Sequence, residues 1–347
     1  MIAGRSKRLF STVTLSLLLA CSCKGTPQSS QAPSAAASKY EPIEIRFSDP
    51  GNGGSSVMAY ARREGILERE LAKVNAKIAW VPGAQAFSAN FEAMNAGAIN
   101  ASGGAISPIV GALAHNLNFK VFAIGDPAAM KQAGIVVPAD SPIKTVNDLV
   151  GKRVAVNMAA HGDYMLLKAL ANAGVPASAV NRLNIQPPDA AAAFATGKID
   201  AWSTFGVFFS TAVRNGARIL LRESDMQSDD VTIMAANAAV LKKNPAAFLV
   251  VIKVVNDLVE IGHQHPERFQ NVFTDKGPTA LSGDELAIAI ENTRAMSKIR
   301  VPTLADRTRV ANVARMFALN KSIDREIGVD EIVFDADAAA RQKGTGP

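Results

Sequence analysis

From Ile43 the chain alternates apolar and polar side chains through Ile43-Glu44-Ile45-Arg46-Phe47, the two-residue period of a strand with one face in a core. Short apolar or β-branched runs bounded by turn residues predict further strands over residues 77–81, 120–125, 134–138, 153–157, 180–186, 199–204, 218–221 and 231–237. Between them the period changes to that of a helix. Val57, Met58 and Ala61 share the inner side of a segment that runs to Glu64, and Phe87, Phe91 and Met94 recur at helical spacing. Thr145 with Asp148 has the spacing of a capping pair, so a short helix should start there and stop at Gly151. After the strand at 153–157, Leu166, Leu167, Leu170 and Ala173 are expected on one helix face, with Gly174 and Pro176 as the stop. Ser107 should be an N-cap and Pro108 the first residue of its helix.

This order, βα units interrupted by a second set and closed by a return strand at 231–237, implies two α/β lobes joined by two crossovers. The expected division is 42–132 for the first part of lobe one, 133–227 for lobe two and 228–347 for the rest of lobe one. Residues 242–340 are helical in pattern, with Pro245, Pro266 and Pro302 near helix starts, and should pack on lobe one.

Composition changes the picture at the N-terminus. Arg5, Lys7 and Arg8 precede an apolar run from Val13 to Ala20, the design of a secretory signal. It ends in Leu18-Leu19-Ala20-Cys21, which matches a bacterial lipobox, so residues 1–20 are expected to be removed and Cys21 lipidated. Ser22 at the next position is the outer-membrane sorting pattern of a two-membrane cell. The Ser, Ala, Gln and Pro of the following stretch make 21–41 a tether. Cys21 and Cys23 are the two cysteines of the chain, which leaves the folded body without disulfide or thiolate chemistry. The formal charge of +6 includes those three leader cations, and the rest are scattered with few aromatics between them, which argues against nucleic-acid binding.

Candidate chemistry gathers at strand ends. Ser55 and Ser56 close the run Gly51-Asn52-Gly53-Gly54-Ser55-Ser56, which lacks the Lys-Ser/Thr of a P-loop. Ser102, Gly103 and Gly104 form a second expected loop, and Asn157 with His161, Gly162 and Asp163 a third. Each could aim free backbone N–H groups at a cleft, and each could equally be turn and capping chemistry. None of the three holds Arg or Lys, so a monoanion held by N–H groups and hydroxyls fits them better than a phosphate. His161 is the cleft group that could change charge near neutral pH and donate to that anion, whereas Asp163 must cap its helix and turn away. Trp202 and Phe205, at the end of the 199–204 strand, are candidates for an aromatic wall, with lobe core the alternative for Trp202. No G-x-S-x-G, H-E-x-x-H or C-x-x-C occurs, and His263 and His265 lack the companions of a metal site, so neither metal nor cofactor is expected.

The stretch DSPIKTVNDLVGKRVAVN, residues 140–157, resembles the "DSPIKSVADLKGKRVAF" signature of binding proteins of the nitrate/sulfonate/taurine ABC importers. The run from Asp189 to Trp202 is similar to a second block of that family, and ARREGILERE and Asn95–Ala101 are similar to others. The resemblance implies a type II periplasmic binding protein fold with a helical C-terminal segment. It also implies a monomeric, non-catalytic receptor that closes two lobes on a small anion and docks on a permease driven by an ATPase. Two departures stand out. The family's "VIWDP" is Ser203-Thr204-Phe205-Gly206-Val207 here, and its Lys-Gly-Ser-Asn-Ala-His is Met158-Ala159-Ala160-His161-Gly162-Asp163. An enzyme on the scaffold of the thiamine-pyrimidine synthases, or a sensory lipoprotein, is the alternative.

Overall fold

The computed structural model describes residues 40–49, 56–83, 87–126, 132–274, 277 and 280–344. The leader, most of the tether, Cys21 and Ser55 therefore lie outside the described residues. The chain first runs through β1 (Ile43–Asp49), α1 (Val57–Arg63), α2 (Ile66–Ala72), β2 (Ala76–Pro82), α3 (Phe91–Asn95), β3 (Ala101–Ala105), α4 (Ile106–Ala114) and β4 (Phe119–Gly125). It then passes through β5 (Ala133–Val137), β6 (Arg153–Val156), α5 (His161–Asn172), β7 (Asn181–Asn184), α6 (Pro187–Ala195), β8 (Ala201–Phe205), α7 (Gly206–Arg214) and β9 (Arg218–Arg222). The last part holds β10 (Thr232–Asn237), α8 (Ala238–Lys243), α9 (Pro245–Gln264), α10 (Gly283–Arg294), β11 (Ile299–Arg300), α11 (Leu304–Leu319), α12 (Val329–Ile332) and α13 (Ala336–Gly344).

Two mixed sheets result. The first has the order β11-β4-β10-β3-β1-β2 and the second β7-β6-β8-β5-β9. In each sheet one strand from a crossover runs antiparallel to its neighbours, β10 between β3 and β4 and β5 between β8 and β9. The chain passes between the sheets twice, after β4 and, through residues 223–231, after β9. Side chains pack on both faces of both sheets, which is why inner strands such as β5 and most of β4 read as nearly continuous apolar runs. Phe122 packs with Leu67 and Phe248 on one side of the first sheet, and its neighbour Val121 packs with Ile109 and Phe317 on the other. In the second sheet Val154 and Val156 join one core and Ala155 the opposite one.

Helix α5 is buried on two sides. Leu166 and Leu170 enter the core of the second sheet, while Tyr164 and Leu167 enter the core that α4 and α11 form on the first. The single apolar face expected from the sequence is thus divided, and Ala173 is exposed. The ~100° step between successive helical residues turns Leu167 away from Leu166, toward a second partner that periodicity alone does not reveal. At Gly111 of α4 the two parts meet backbone to backbone, since a Cβ there would lie 2.2 Å from the Ala159 carbonyl oxygen. Thr145 and Asp148 do form a reciprocal capping box, over a 3₁₀ turn at Val146–Leu149.

The start of α4 corrects one expectation. Ala105 is the N-cap and Ile106 the first helical residue, so Ser107 and Pro108 sit one step further in. Ser107 needs no capping role because a carboxylate from the second crossover takes it over. Asp230 Oδ1 accepts from the Ser107 N–H at 2.8 Å, and the Ser107 hydroxyl bonds the other oxygen.

Candidate functional site

One cavity of about 830 Å³ lies where the two sheets and the second crossover meet. Its volume suits a small organic molecule. Gly104 and Pro108 line it from β3 and α4, and Asn157 and His161 from the loop and helix that follow β6. Phe205 closes it from the end of β8, and Glu223 and Asp230 from the crossover. Phe87, Met226 and Val231 add apolar wall.

His161 is the electrostatic centre of this region, and it is 7% exposed. Its Nδ1 lies 2.7 Å from Asp230 Oδ2 and its Nε2 3.1 Å from Glu223 Oε2. Burial alone would push the imidazole pKa down. The Glu223 and Asp230 carboxylates, by charge and hydrogen bond together, outweigh it and raise the value well above that of a free histidine. As imidazolium both ring N–H groups donate, one to each carboxylate. The ring also stands edge-on to Phe205, with centroids 5.2 Å apart and planes at 79°. The resulting chain, Ser107 to Asp230 to His161 to Glu223 to Ser228, ties α4, α5 and the crossover together.

Several backbone N–H groups around the start of α5, that of Gly162 among them, already have partners. The Gly162 N–H donates to Asn157 Oδ1 at 3.0 Å, Ala159 N–H to Asp163 Oδ2 at 3.1 Å, and Met158 N–H to Asn184 Oδ1 at 3.0 Å. Asn157 takes up one N–H of the first turn of α5, while Asp163 and Asn184 brace the loop before it. Gly162 has a packing reason, since a Cβ would come within 2.6 Å of both Asn157 Oδ1 and the Ser203 carbonyl. Asp163 is fully buried and turned away from the cavity. It holds Ala159, a non-glycine residue at φ +53°, and receives the Arg182 guanidinium at 2.8 Å.

The remaining expected residues divide. Ser102, Gly103 and Gly104 are not a loop but lie in β3, paired with β10. Small residues at the end of a pleated run give no apolar alternation, so tertiary pairing decides the strand. Ser102 bonds Ser48 across the sheet at 2.6 Å, and among the three only Gly104 lines the cavity, under Phe87. Ser56 is exposed and caps α1 by accepting from the Ala59 N–H at 3.0 Å. Trp202 is interior, between Phe194 and Phe208. The cavity thus brings together Gly104, Asn157, His161 and Phe205, and leaves Ser102, Gly103, Gly162, Asp163 and Trp202 behind its wall.

The sequence reading missed Phe87, Lys168, Glu223, Asp230 and Arg309, which also line the cavity. Lys168 stands two turns after His161 on α5, a spacing that could have flagged it. Nothing local marks Arg309, which arrives on α11 from the C-terminal part. Among the described residues no cluster of three or more His, Cys, Asp or Glu side chains is placed to hold a metal ion. Nor, among those residues, is any helix long and apolar enough to cross a membrane.

Residues 97–269 match the family model described as NMT1/THI5 like. A protein of Escherichia coli (strain K12) named for the binding of aliphatic sulfonates is 33% identical over 208 residues, or 58% of this chain and 61% of that one. A Bacillus subtilis (strain 168) protein of the same name is 27% identical over 281 residues, or 80% of this chain and 82% of the other. The structure of the alkanesulfonate-binding protein from Xanthomonas axonopodis pv. citri bound to MOPS superposes with a TM-score of 0.71 at 22% identity, over 85% of this chain and 99% of that one. More distantly, the desulfurization enzyme DSZB shares the fold at a TM-score of 0.56 and 13% identity, over 86% of this chain and 99% of its own. The chain therefore carries an NMT1/THI5-like domain on the periplasmic binding protein fold and is a homologue of aliphatic sulfonate-binding and taurine-binding periplasmic proteins.

Proposed function

We propose that the protein is the extracytoplasmic receptor of an ABC importer, one that captures a small organic anion of the sulfonate or taurine type. The observation that carries this is the cavity itself, walled by residues of both sheets and of the crossover between them. Closure of the lobes, 42–132 with 228–347 on one side and 133–227 on the other, would bury the ligand and present the closed form to a permease. Only contacts made in the closed state can shift that equilibrium. Binding is favoured over catalysis by the state of His161. Both of its ring nitrogens are taken by carboxylates, so neither is free to accept a proton from a hydroxyl, and Asp230 rather than His161 bonds Ser107.

Thermal unfolding of the purified protein with butanesulfonate, taurine, MOPS, nitrate and small pyrimidines tests the reading. At about 100 times its dissociation constant the right class adds about 2.7 kcal/mol and raises Tm by several degrees. Stabilisation by pyrimidines alone would instead support the enzyme scaffold.

The anchor belongs to the same proposal. Cleavage after Ala20 and acylation of Cys21 would hold the receptor at a membrane surface through the 21–41 tether. Mass spectrometry of the mature N-terminus is expected to show acyl chains on Cys21, and an unmodified start elsewhere would exclude the anchor.

A further inference from the structure

We propose that Arg309 and Lys168 form the docking point for the tetrahedral oxyanion group of the bound molecule, whose apolar body lies against Phe87, Phe205 and Met226. This rests on the receptor reading and specifies where the ligand's charge goes. Both cations line the cavity, and among the described residues neither has an ion-pair or hydrogen-bond partner. The Arg309 Nε is buried with no acceptor. Other partly buried guanidinium groups of the chain are matched. Arg182 donates to Asp163, Ser322 and the Asn320 carbonyl, and Arg300 to Asp126 and Asp306. A buried guanidinium N–H without an acceptor is costly, and more than nine in ten buried polar groups avoid that state. An oxyanion presenting several oxygens would satisfy the Arg309 fork and leave one for the Lys168 ammonium.

The carboxylates that share the cavity do not meet this need. Glu223 and Asp230 are bound to His161, and Asp229 accepts from Asn312 at 3.4 Å and gives its N–H to the Tyr164 hydroxyl. The Ser107 N–H of α4 is taken by Asp230 and the Gly162 N–H of α5 by Asn157, so one donor in each first turn is closed to a ligand. Arg309 and Lys168 also belong to different parts of the fold. Val310 and Val313 seat α11 in a core of the first sheet, and α5, seated on the second sheet by Leu166 and Leu170, reaches that core through Tyr164 and Leu167. An anion between them bridges the two parts, the kind of contact that closure requires.

Titration calorimetry on the full processed protein tests this with inorganic sulfate, butanesulfonate and the uncharged butyl methyl sulfone. Wild type, Arg309→Gln and Lys168→Gln are compared, with circular dichroism to confirm folding. Each substitution is expected to weaken butanesulfonate at least about tenfold and to leave any sulfone binding unchanged. Butanesulfonate affinities within about twofold of wild type in both folded variants would overturn the proposal while leaving the sulfonate reading intact. Sulfate binding that depends on both cations, with no butanesulfonate binding, would keep the docking point and remove the organosulfonate reading. Wild type that binds neither anion would overturn both.

Discussion

Replacing His161 by Ala is expected to destabilise the folded protein by about 3–5 kcal/mol at pH 6, the cost of leaving buried charges uncompensated. Glu223 and Asp230 are 4% and 6% exposed, and His161 is the cation between them. The sign of the pH dependence follows from the raised imidazole pKa. Below the unfolded-state value of about 6.5 the ring is protonated in both states, and the stabilisation is fully present. Above it only the folded state keeps the proton, so wild-type stability falls by up to about 1.4 kcal/mol per pH unit until the folded pKa is passed. Urea denaturation of both proteins from pH 6 to pH 9 measures this. The gap between wild type and His161→Ala should be widest at pH 6 and narrow as pH rises. A gap under about 1 kcal/mol at pH 6, with no trend, would show that the clamp contributes little.

Arg182→Ala is the second large effect, again about 3–5 kcal/mol, because it strips a fully buried carboxylate of its partner. Arg182 Nη1 donates to Asp163 at 2.8 Å and to Ser322 Oγ at 3.0 Å, and Nη2 to the Asn320 carbonyl at 2.6 Å. The residue therefore neutralises Asp163 and fastens β7 to the turn that ends α11. Adding Asp163→Ala to Arg182→Ala should restore part of the loss, since the second change removes the stranded charge, although it frees the Ala159 N–H. A double-mutant cycle by urea denaturation reads the coupling, expected above about 1 kcal/mol. Simple additivity would place the destabilisation in lost packing instead.

Much of the architecture was legible because it is carried by near-neighbour periodicity. Strands such as β1, β4 and β6 bury residues on a pleated surface, so apolar alternation or continuity marks them whatever the remaining chain does. The same holds for the Thr145–Asp148 cap, whose donor and acceptor lie three residues apart. The resemblance between residues 140 and 202 pointed to the family for the same reason, being a property of consecutive residues. Gly104, Asn157, His161 and Phe205 were placed at strand ends, and the cavity does gather them.

What the sequence could not give is which charge meets which across the fold. His161 looks like a free donor until β9 and the crossover bring Glu223 and Asp230 to its two nitrogens, from 62 and 69 residues away. Asp163 looks hostile to an anion until Arg182 and the Ala159 N–H take it out of the cavity. Ser102, Gly103 and Gly104 read as a loop because glycine carries no period, and only pairing with β10 makes them a strand. Arg309 is one cation among many in a helical C-terminal stretch until α11 packs beside α5. Local pattern fixes which groups a segment can bury, and long-range packing fixes what those groups face. For charged side chains in a low-dielectric interior the facing partner determines protonation, cost and role, and only the tertiary structure decides that partner.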